Sequence, residues 1–337
     1  MKEVLNRLFE YESLRKEEAK NILKNLAQGV YNQSQVAAFL TVYLMRSITV
    51  EELEGFRDAM LELCIKLEID DYQAIDLCGT GGDGKDTFNI STLSSFVVAG
   101  AGQHVAKHGN NGVSSVCGSS NLLAHFGYDF TNEKDELIRS LDEAGICFLH
   151  APLFHPAMKN VGPIRKELGV KTFFNMLGPM VNPSFPKKQL VGVFSLELAR
   201  MYGYLYQNTD KDFVVLHSLD GYDEISLTGD FKMITKETEK IVSPEDIGLK
   251  KVVAEELSGG KTIEDSAKVF MNILSGDGTR AQKDAVLANA GTALYCGKSL
   301  GSLAEGVEMA RESLDSGRAL QTFKKLVTKD QNIYTLN

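Results

Sequence analysis

This 337-residue chain lacks the marks of a disulfide scaffold, a membrane span or a nucleic-acid surface. Its five cysteines, Cys64, Cys78, Cys117, Cys147 and Cys296, are scattered, odd in number and never spaced C-x-x-C, so neither a disulfide framework nor a zinc site is indicated and ordinary reduced thiols are expected. No apolar run approaches the ~18 residues of a membrane span. The start, Met1-Lys2-Glu3-Val4-Leu5-Asn6-Arg7, has no apolar core of a signal peptide. Basic charge is in deficit: 36 Lys and Arg face 45 Asp and Glu, for a net charge of −9. No broad basic field therefore awaits a nucleic-acid backbone, and any phosphate site must be local, built from loops and a few cations. Internal repeats, low-complexity tracts and Pro/Ser-rich linkers are also absent. The expectation is a soluble cytoplasmic protein with neither nucleic-acid nor membrane partners.

What is present divides in two, as the length suggests at about 100–200 residues per domain. Residues 1–70 are expected to form a small helical domain. A helical stretch from Leu14 to Ala27 stops at Gly29, where a C-terminal glycine belongs. A second begins near Ser34 with Val36, Phe39, Leu40, Tyr43 and Leu44 at helical spacing, and Thr49 with Glu52 forms a capping box before a third. From Ala74 onward strand-like runs alternate with helical ones: Ala74–Cys78, Val105–Lys107, Ile146–Leu149, Leu190–Phe194 and Phe213–Leu216. That alternation predicts an α/β domain over 71–337 with a central, mostly parallel sheet, the boundary lying near residues 68–74.

Two glycine-rich loops follow the first two strands. Cys78 runs into Gly79-Thr80-Gly81-Gly82-Asp83-Gly84, with a helix expected from about Ser91-Thr92, where either residue is placed to cap the helix or to face a metal. Lys107 runs into His108-Gly109-Asn110-Asn111-Gly112, with a helix expected around Ser114-Ser115. Strand, glycine loop and helix N-terminus together expose unpaired N–H groups, which suit a phosphate; two in one sheet point to a ligand with two anionic ends. The first loop also satisfies G-x-x-x-x-G-K, but Asp86 stands where a P-loop needs Ser or Thr for magnesium. A carboxylate facing a phosphate at ~4 Å would cost on the order of 4 kcal/mol at an effective dielectric of 20. Asp83 is tolerated there only beside a hydroxyl, an amine or a hydrated cation.

Taken with Asn89-Ile90-Ser91-Thr92, Lys107-His108-Gly109-Asn110, His155-Pro156-Ala157-Met158 and Asp223-Glu224-Ile225-Ser226, the first loop resembles, in order and spacing, the signature of anthranilate phosphoribosyltransferases. The likeness covers nearly the whole chain. It implies a class III phosphoribosyltransferase fold, related to pyrimidine nucleoside phosphorylases, with a homodimer formed through the helical domain and a helical segment around 160–180 joining that domain. It also implies transfer of the phosphoribosyl group of phosphoribosyl pyrophosphate (PRPP) to the amine of anthranilate, in tryptophan biosynthesis. By resemblance PRPP would be held by Gly79, Gly82, Asp83, Thr87, Asn89, Ile90, Ser91, Thr92, Lys107, His108, Gly109, Asn110, Asn111, Gly112, Val113, Ser114, Ser115 and Ser119. Magnesium would engage Ser91, Asp223 and Glu224, and anthranilate would meet Gly79, Asn110 and Arg165.

The residue types suit those roles. Magnesium takes oxygen ligands, commonly one or two carboxylates plus substrate phosphate. Adjacent residues of an extended segment point to opposite sides, so Asp223 and Glu224 serve one site only if the chain turns, as Gly221 permits, or if two metals share the pyrophosphate. Arg165 lies in Val161-Gly162-Pro163-Ile164-Arg165-Lys166-Glu167-Leu168-Gly169, a short helix with Pro near its start and Gly past its end; its fork matches a benzoate carboxylate. His108 and His155 are assigned no proton transfer. Two positions depart from the family: Asn111 replaces Arg after Lys-His-Gly-Asn, and Asn121 replaces Asp after Gly118-Ser119-Ser120. A nucleoside phosphorylase, a P-loop nucleotidase and a non-catalytic paralogue are the competing expectations, opposed respectively by Arg165 with the first loop, by Asp86, and by the retained Asp223 and Glu224.

Overall fold

The computed structural model describes residues 1–112 and 117–328. The chain falls into two compact units, one of Met1–Leu67 with Ala151–Phe185, the other of Glu68–His150 with the chain from Pro186 onward. Residues 151–185 thus leave the α/β stretch that the sequence reads as 71–337, a wider return than the expected 160–180. Among the described residues no helix is long and apolar enough to cross a membrane.

In the helical unit, α1 (Lys2–Phe9), α2 (Lys16–Ala27), α3 (Gln33–Met45) and α4 (Val50–Leu63) are joined by short helices in the returning segment. The capping box at α4 is real: Thr49 Oγ1 accepts the Glu52 N–H at 3.2 Å, and Glu52 Oε2 accepts the Thr49 N–H at 2.9 Å. Glu52 does more than cap. It is fully buried and also accepts from the Leu14 N–H at 2.9 Å, the Tyr43 hydroxyl at 3.3 Å and Arg46 Nη1 at 2.9 Å. Burial works against its charge, but the bonds from Arg46, Leu14 and Thr49 outweigh it and hold its pKa below the usual carboxylate range. Beside it Phe39, Tyr43 and Phe56 close around Phe173 of the return, with Phe56 and Phe173 stacked at 4.4 Å. Such aromatic pairs add about 0.5–1.5 kcal/mol each beyond area burial.

The second unit is built on a seven-stranded sheet: β1 (Ile75–Gly79), β2 (Val105–Gly109), β3 (Ile146–His150), β4 (Lys188–Gly192), β5 (Asp212–Ser218), β6 (Phe231–Ile234) and β7 (Glu239–Val242), in the order β3-β2-β1-β4-β5-β6-β7. The first five are parallel and the last two antiparallel. Parallel neighbours need crossovers, and α5 (Ile90–Gly100) supplies the one between β1 and β2. Strand order runs outward from β1 in both directions, so the C-terminal ends of β1 and β4 form a topological switch point, where such sheets open a ligand crevice. The helix Arg280–Lys298 packs on α5 and β4, and alanines on its buried face (Ala281, Ala285, Ala288, Ala293) leave room for close approach.

Candidate active site

The acidic pair sits at that switch point. Gly79 and Gly192 are register partners at the ends of β1 and β4, and a Cβ on either would collide with Asp223, with its carboxylate at Gly79 and its carbonyl at Gly192. Only glycine admits so close a backbone. The chain turns after β5: the Gly221 N–H donates to the Ser218 carbonyl at 2.8 Å, and Ser218 Oγ donates to the Glu224 carbonyl at 2.6 Å. The two carboxylates then diverge to opposite ends of the first glycine loop. Asp223 Oδ2 accepts the Gly81 N–H at 2.6 Å; Glu224 Oε1 accepts the Ser91 N–H at 3.0 Å, and its Oε2 accepts Thr87 Oγ1 at 3.2 Å. The turn expected at Gly221 therefore exists, and Gly79, Thr87, Ser91, Asp223 and Glu224 are brought together.

These hydrogen bonds do not cancel the cost of burial. Burial first, then Glu224 and Asp83, push the Asp223 carboxyl well above its ordinary range. Burial and Asp83 push Glu224 up to about 7, against the pull of the Ser91 N–H, the Thr87 hydroxyl and Lys107. Lys107 is itself 2 % exposed, its ammonium donating to the Leu77 carbonyl at 2.5 Å and to Ser91 Oγ at 3.4 Å. Burial lowers its pKa, against the charges of Cys78, Asp76 and Glu224. Burial thus disfavours the charged forms of Asp223 and Glu224, and a hard, oxygen-seeking cation is what would restore them. Among the described residues no group of three or more His, Cys, Asp or Glu is gathered for a metal; the oxygens offered are those of Asp223, Glu224 and Ser91.

The rest of the first loop is not a P-loop. Its helix opens at Ile90, five residues past Lys85, whereas a P-loop helix opens on the G-K-[ST] itself. Lys85 Nζ lies 4.6 Å from the Tyr222 ring, the Lys85 N–H donates to Asp83 Oδ1 at 3.2 Å, and the Asp86 carbonyl accepts the Gly259 N–H at 3.1 Å. Gly82 takes a left-handed φ of 81°. Ile90 and Thr92 are buried, so their side chains belong to the core.

The second loop is tied at both ends. Asn89 Nδ2 donates to the Cys117 carbonyl at 2.9 Å, and the Asn110 carbonyl accepts the Ser120 N–H at 3.2 Å and Ser119 Oγ at 3.3 Å. Asn121 Oδ1 accepts the Gly112 N–H at 2.8 Å and the Gly118 N–H at 3.1 Å. A neutral amide oxygen thus makes the bonds a carboxylate oxygen would make there, which accounts for Asn121. Asn111 is exposed, its N–H bonded to Asn110 Oδ1 at 2.8 Å. Buried His108 gives its N–H to Asp76 Oδ1 at 3.2 Å. Val113, Ser114 and Ser115 lie outside the described residues, with the helix expected there; the next described helix is Ser119–His125, beyond Gly109 and the loop.

Arg165 belongs to the helical unit, on Gly162–Leu168 with Gly169 past its end. Its Nη2 donates to Asn175 Oδ1 at 3.3 Å and its guanidinium lies 5.1 Å from the Phe174 ring. Nε is buried with no hydrogen-bond partner, and among the described residues no carboxylate pairs with the side chain. Burial lowers its pKa. A desolvated cation with an open donor calls for an anion. His155 is buried, its Nε2 lying 2.9 Å from the Val181 carbonyl.

One residue that shapes the site escapes sequence reasoning. Asn289, buried on Arg280–Lys298, accepts the Ile225 N–H at 3.0 Å and donates to the Ile225 carbonyl at 2.9 Å, clasping the segment that carries the acidic pair. Its only signal is a lone amide among alanines.

Residues 71–320 match the glycosyl transferase family, a/b domain, and residues 2–64 its helical bundle domain. The anthranilate phosphoribosyltransferase of Christiangramia forsetii is 61 % identical over 332 residues, 98 % of this chain and 100 % of its relative. That of Thermus thermophilus superposes with a TM-score of 0.89 at 35 % identity, covering 96 % of this chain and 98 % of the other. The Saccharomyces cerevisiae enzyme in complex with PRPP and Mg gives 0.88 at 25 % identity, covering 96 % and 95 %.

The raised carboxyl pKa values carry a stability signature. A folded-state pKa above the unfolded value of about 4 means that the stabilising contribution of the protonated form is complete below pH 4 and is lost as pH rises toward the folded value. The double variant Asp223→Asn, Glu224→Gln should therefore melt higher than the parent at pH 8, with the gap closing toward pH 5. Melting curves with the same gap at both pH values would refute the assignment.

Proposed function

The chain belongs to the anthranilate phosphoribosyltransferase family, and on that premise we infer that it transfers the phosphoribosyl group of PRPP to the amine of anthranilate, giving N-(5-phosphoribosyl)anthranilate and pyrophosphate in tryptophan biosynthesis. The observation that carries this is the pair Asp223 and Glu224 at the β1/β4 switch point, bound to both ends of a glycine loop with both carboxyl pKa values raised by burial.

The loop amides between Gly79 and Thr87, with Asp83, Asn89 and the start of α5 at Ile90, Ser91 and Thr92, receive the pyrophosphate end of PRPP. Lys107, His108 and the loop from Gly109 through Ser115, with Ser119, receive the ribose phosphate. Asp223, Glu224 and Ser91 would hold magnesium, which would supply positive charge at the pyrophosphate. Lys107 acts from behind Ser91, its ammonium drawing the Glu224 carboxyl down against the push of burial. By the same resemblance Gly79, Asn110 and Arg165 would meet the acceptor, and the open Nε donor of Arg165 suits a carboxylate. The amine is a neutral nucleophile at pH 7 and needs no base to attack. Its nitrogen bonds to the anomeric carbon as the bond to pyrophosphate breaks, with oxocarbenium character at the ribose, and its proton passes to solvent. Catalysis on this account is placement plus charge.

The homodimer is part of the same proposal. The helical unit exposes Phe9, Tyr11, Leu44 and Met45, the last at 75 %, and apolar side chains so placed suit a self-complementary interface.

Purified protein given PRPP and magnesium should consume anthranilate, followed by its fluorescence; no PRPP-dependent loss sinks the assignment. Arg165→Ala should raise the anthranilate KM about ten- to a hundredfold while the PRPP KM moves less than about twofold, and equal effects on both would remove its carboxylate role. Sedimentation equilibrium should return about twice the chain mass, with Met45→Glu shifting it toward one; a single-chain mass for the parent would end the dimer proposal.

A further inference from the structure

His150 closes β3 in register with Gly109, the last residue of β2, just where the second glycine loop departs. Its Nδ1 lies 2.8 Å from Ser120 Oγ. Its ring is stacked on Phe130, centroids 4.5 Å apart and planes at 26°. Ser120 stands in the first turn of Ser119–His125, and its own N–H donates to the Asn110 carbonyl at 3.2 Å. One buried residue therefore binds β3 through its side chain and the loop through its main chain.

A serine hydroxyl on an imidazole suggests a nucleophile and its base, but Ser120 is fully buried and no substrate carbon reaches its oxygen. The geometry fits a brace instead. Phe130 fixes the plane of the ring, Ser120 fixes its rotation within that plane, and together they leave the imidazole one orientation. Burial holds the imidazole below its ordinary pKa, and either neutral tautomer satisfies the pair, the hydroxyl donating to Nδ1 or accepting from it. The brace thus adds no charge beneath the loop.

We propose that Ser120 and His150 are positioning residues that act through one another to set the main chain at Asn110, and through it the phosphate-binding face of the second loop. This rests on the assignment of that loop to PRPP.

The test uses the full-length enzyme with magnesium and PRPP. His150→Phe keeps the stack on Phe130 and deletes the nitrogen; Ser120→Ala deletes the hydroxyl; His150→Asn returns a hydrogen-bonding group near the place of Nδ1. The first two should each raise the PRPP KM and calorimetric Kd about five- to tenfold with kcat within about twofold, and the double variant should do no worse than the poorer single one. His150→Asn should recover to within about twofold of the parent. Unchanged PRPP affinity, effects that multiply in the double variant, or a fall in Tm with KM unmoved overturns the proposal. Should His150→Phe not fold, Ser120→Ala against His150→Asn decides by the same criteria. A parent that neither binds nor consumes PRPP defeats the functional assignment as well, whereas an active parent with unmoved variants defeats the brace alone.

Discussion

Two adjacent carboxylates, Asp223 buried and Glu224 half-buried, are crowded against one glycine loop, and much else in the α/β unit follows from accommodating them. Gly79 and Gly192 lack side chains because Asp223 occupies the room a Cβ would take. The turn after β5, the clasp by Asn289 and the bond from Ser218 all serve to aim the pair rather than to neutralise it. The amides of Gly81 and Ser91 give up donors to hold it. A protein selected for stability alone would replace such a pair with apolar side chains, since unpaired buried charge destabilises. Keeping it makes sense where a cation and a polyanionic substrate arrive together and their binding offsets the cost of burying the pair.

The helical unit solves the opposite problem with the same residue type. Glu52 is fully buried, yet two backbone N–H groups, a tyrosine hydroxyl and an arginine donate to it, and its pKa falls rather than rises. Burial is common to both sites; the number and charge of the donors decide which carboxylate is structural and which waits for a partner.

Much of this was legible in the sequence where the signal was local. The capping box at Thr49, the strands that open the sheet and the glycine loops at Gly79 and Gly109 each announce themselves within a few residues. The turn at Gly221 followed from the need to bring Asp223 and Glu224 to one place. What stayed hidden depends on distance along the chain. Nothing near residue 289 reveals that its amide holds residue 225, and β6 and β7 are short runs without the alternation that marked the inner strands. The resemblance assigned Lys107 to PRPP, and its burial beside Ser91, which comes from β2 being an inner strand, was not legible in the sequence. His150 gave no sign at all, since its partner lies thirty residues earlier.

The clasp at Asn289 also sets an order of events in the life of the chain. Asp223 meets Gly81 across 142 residues, and the peptide that carries it is fixed by a side chain 64 residues further on. A ribosome that has made both glycine loops and the acidic pair has supplied every partner of the two carboxylates but not the side chain that clasps the segment carrying them. A chain cut short after Glu224 therefore holds the motifs and lacks the buried amide that pins Ile225.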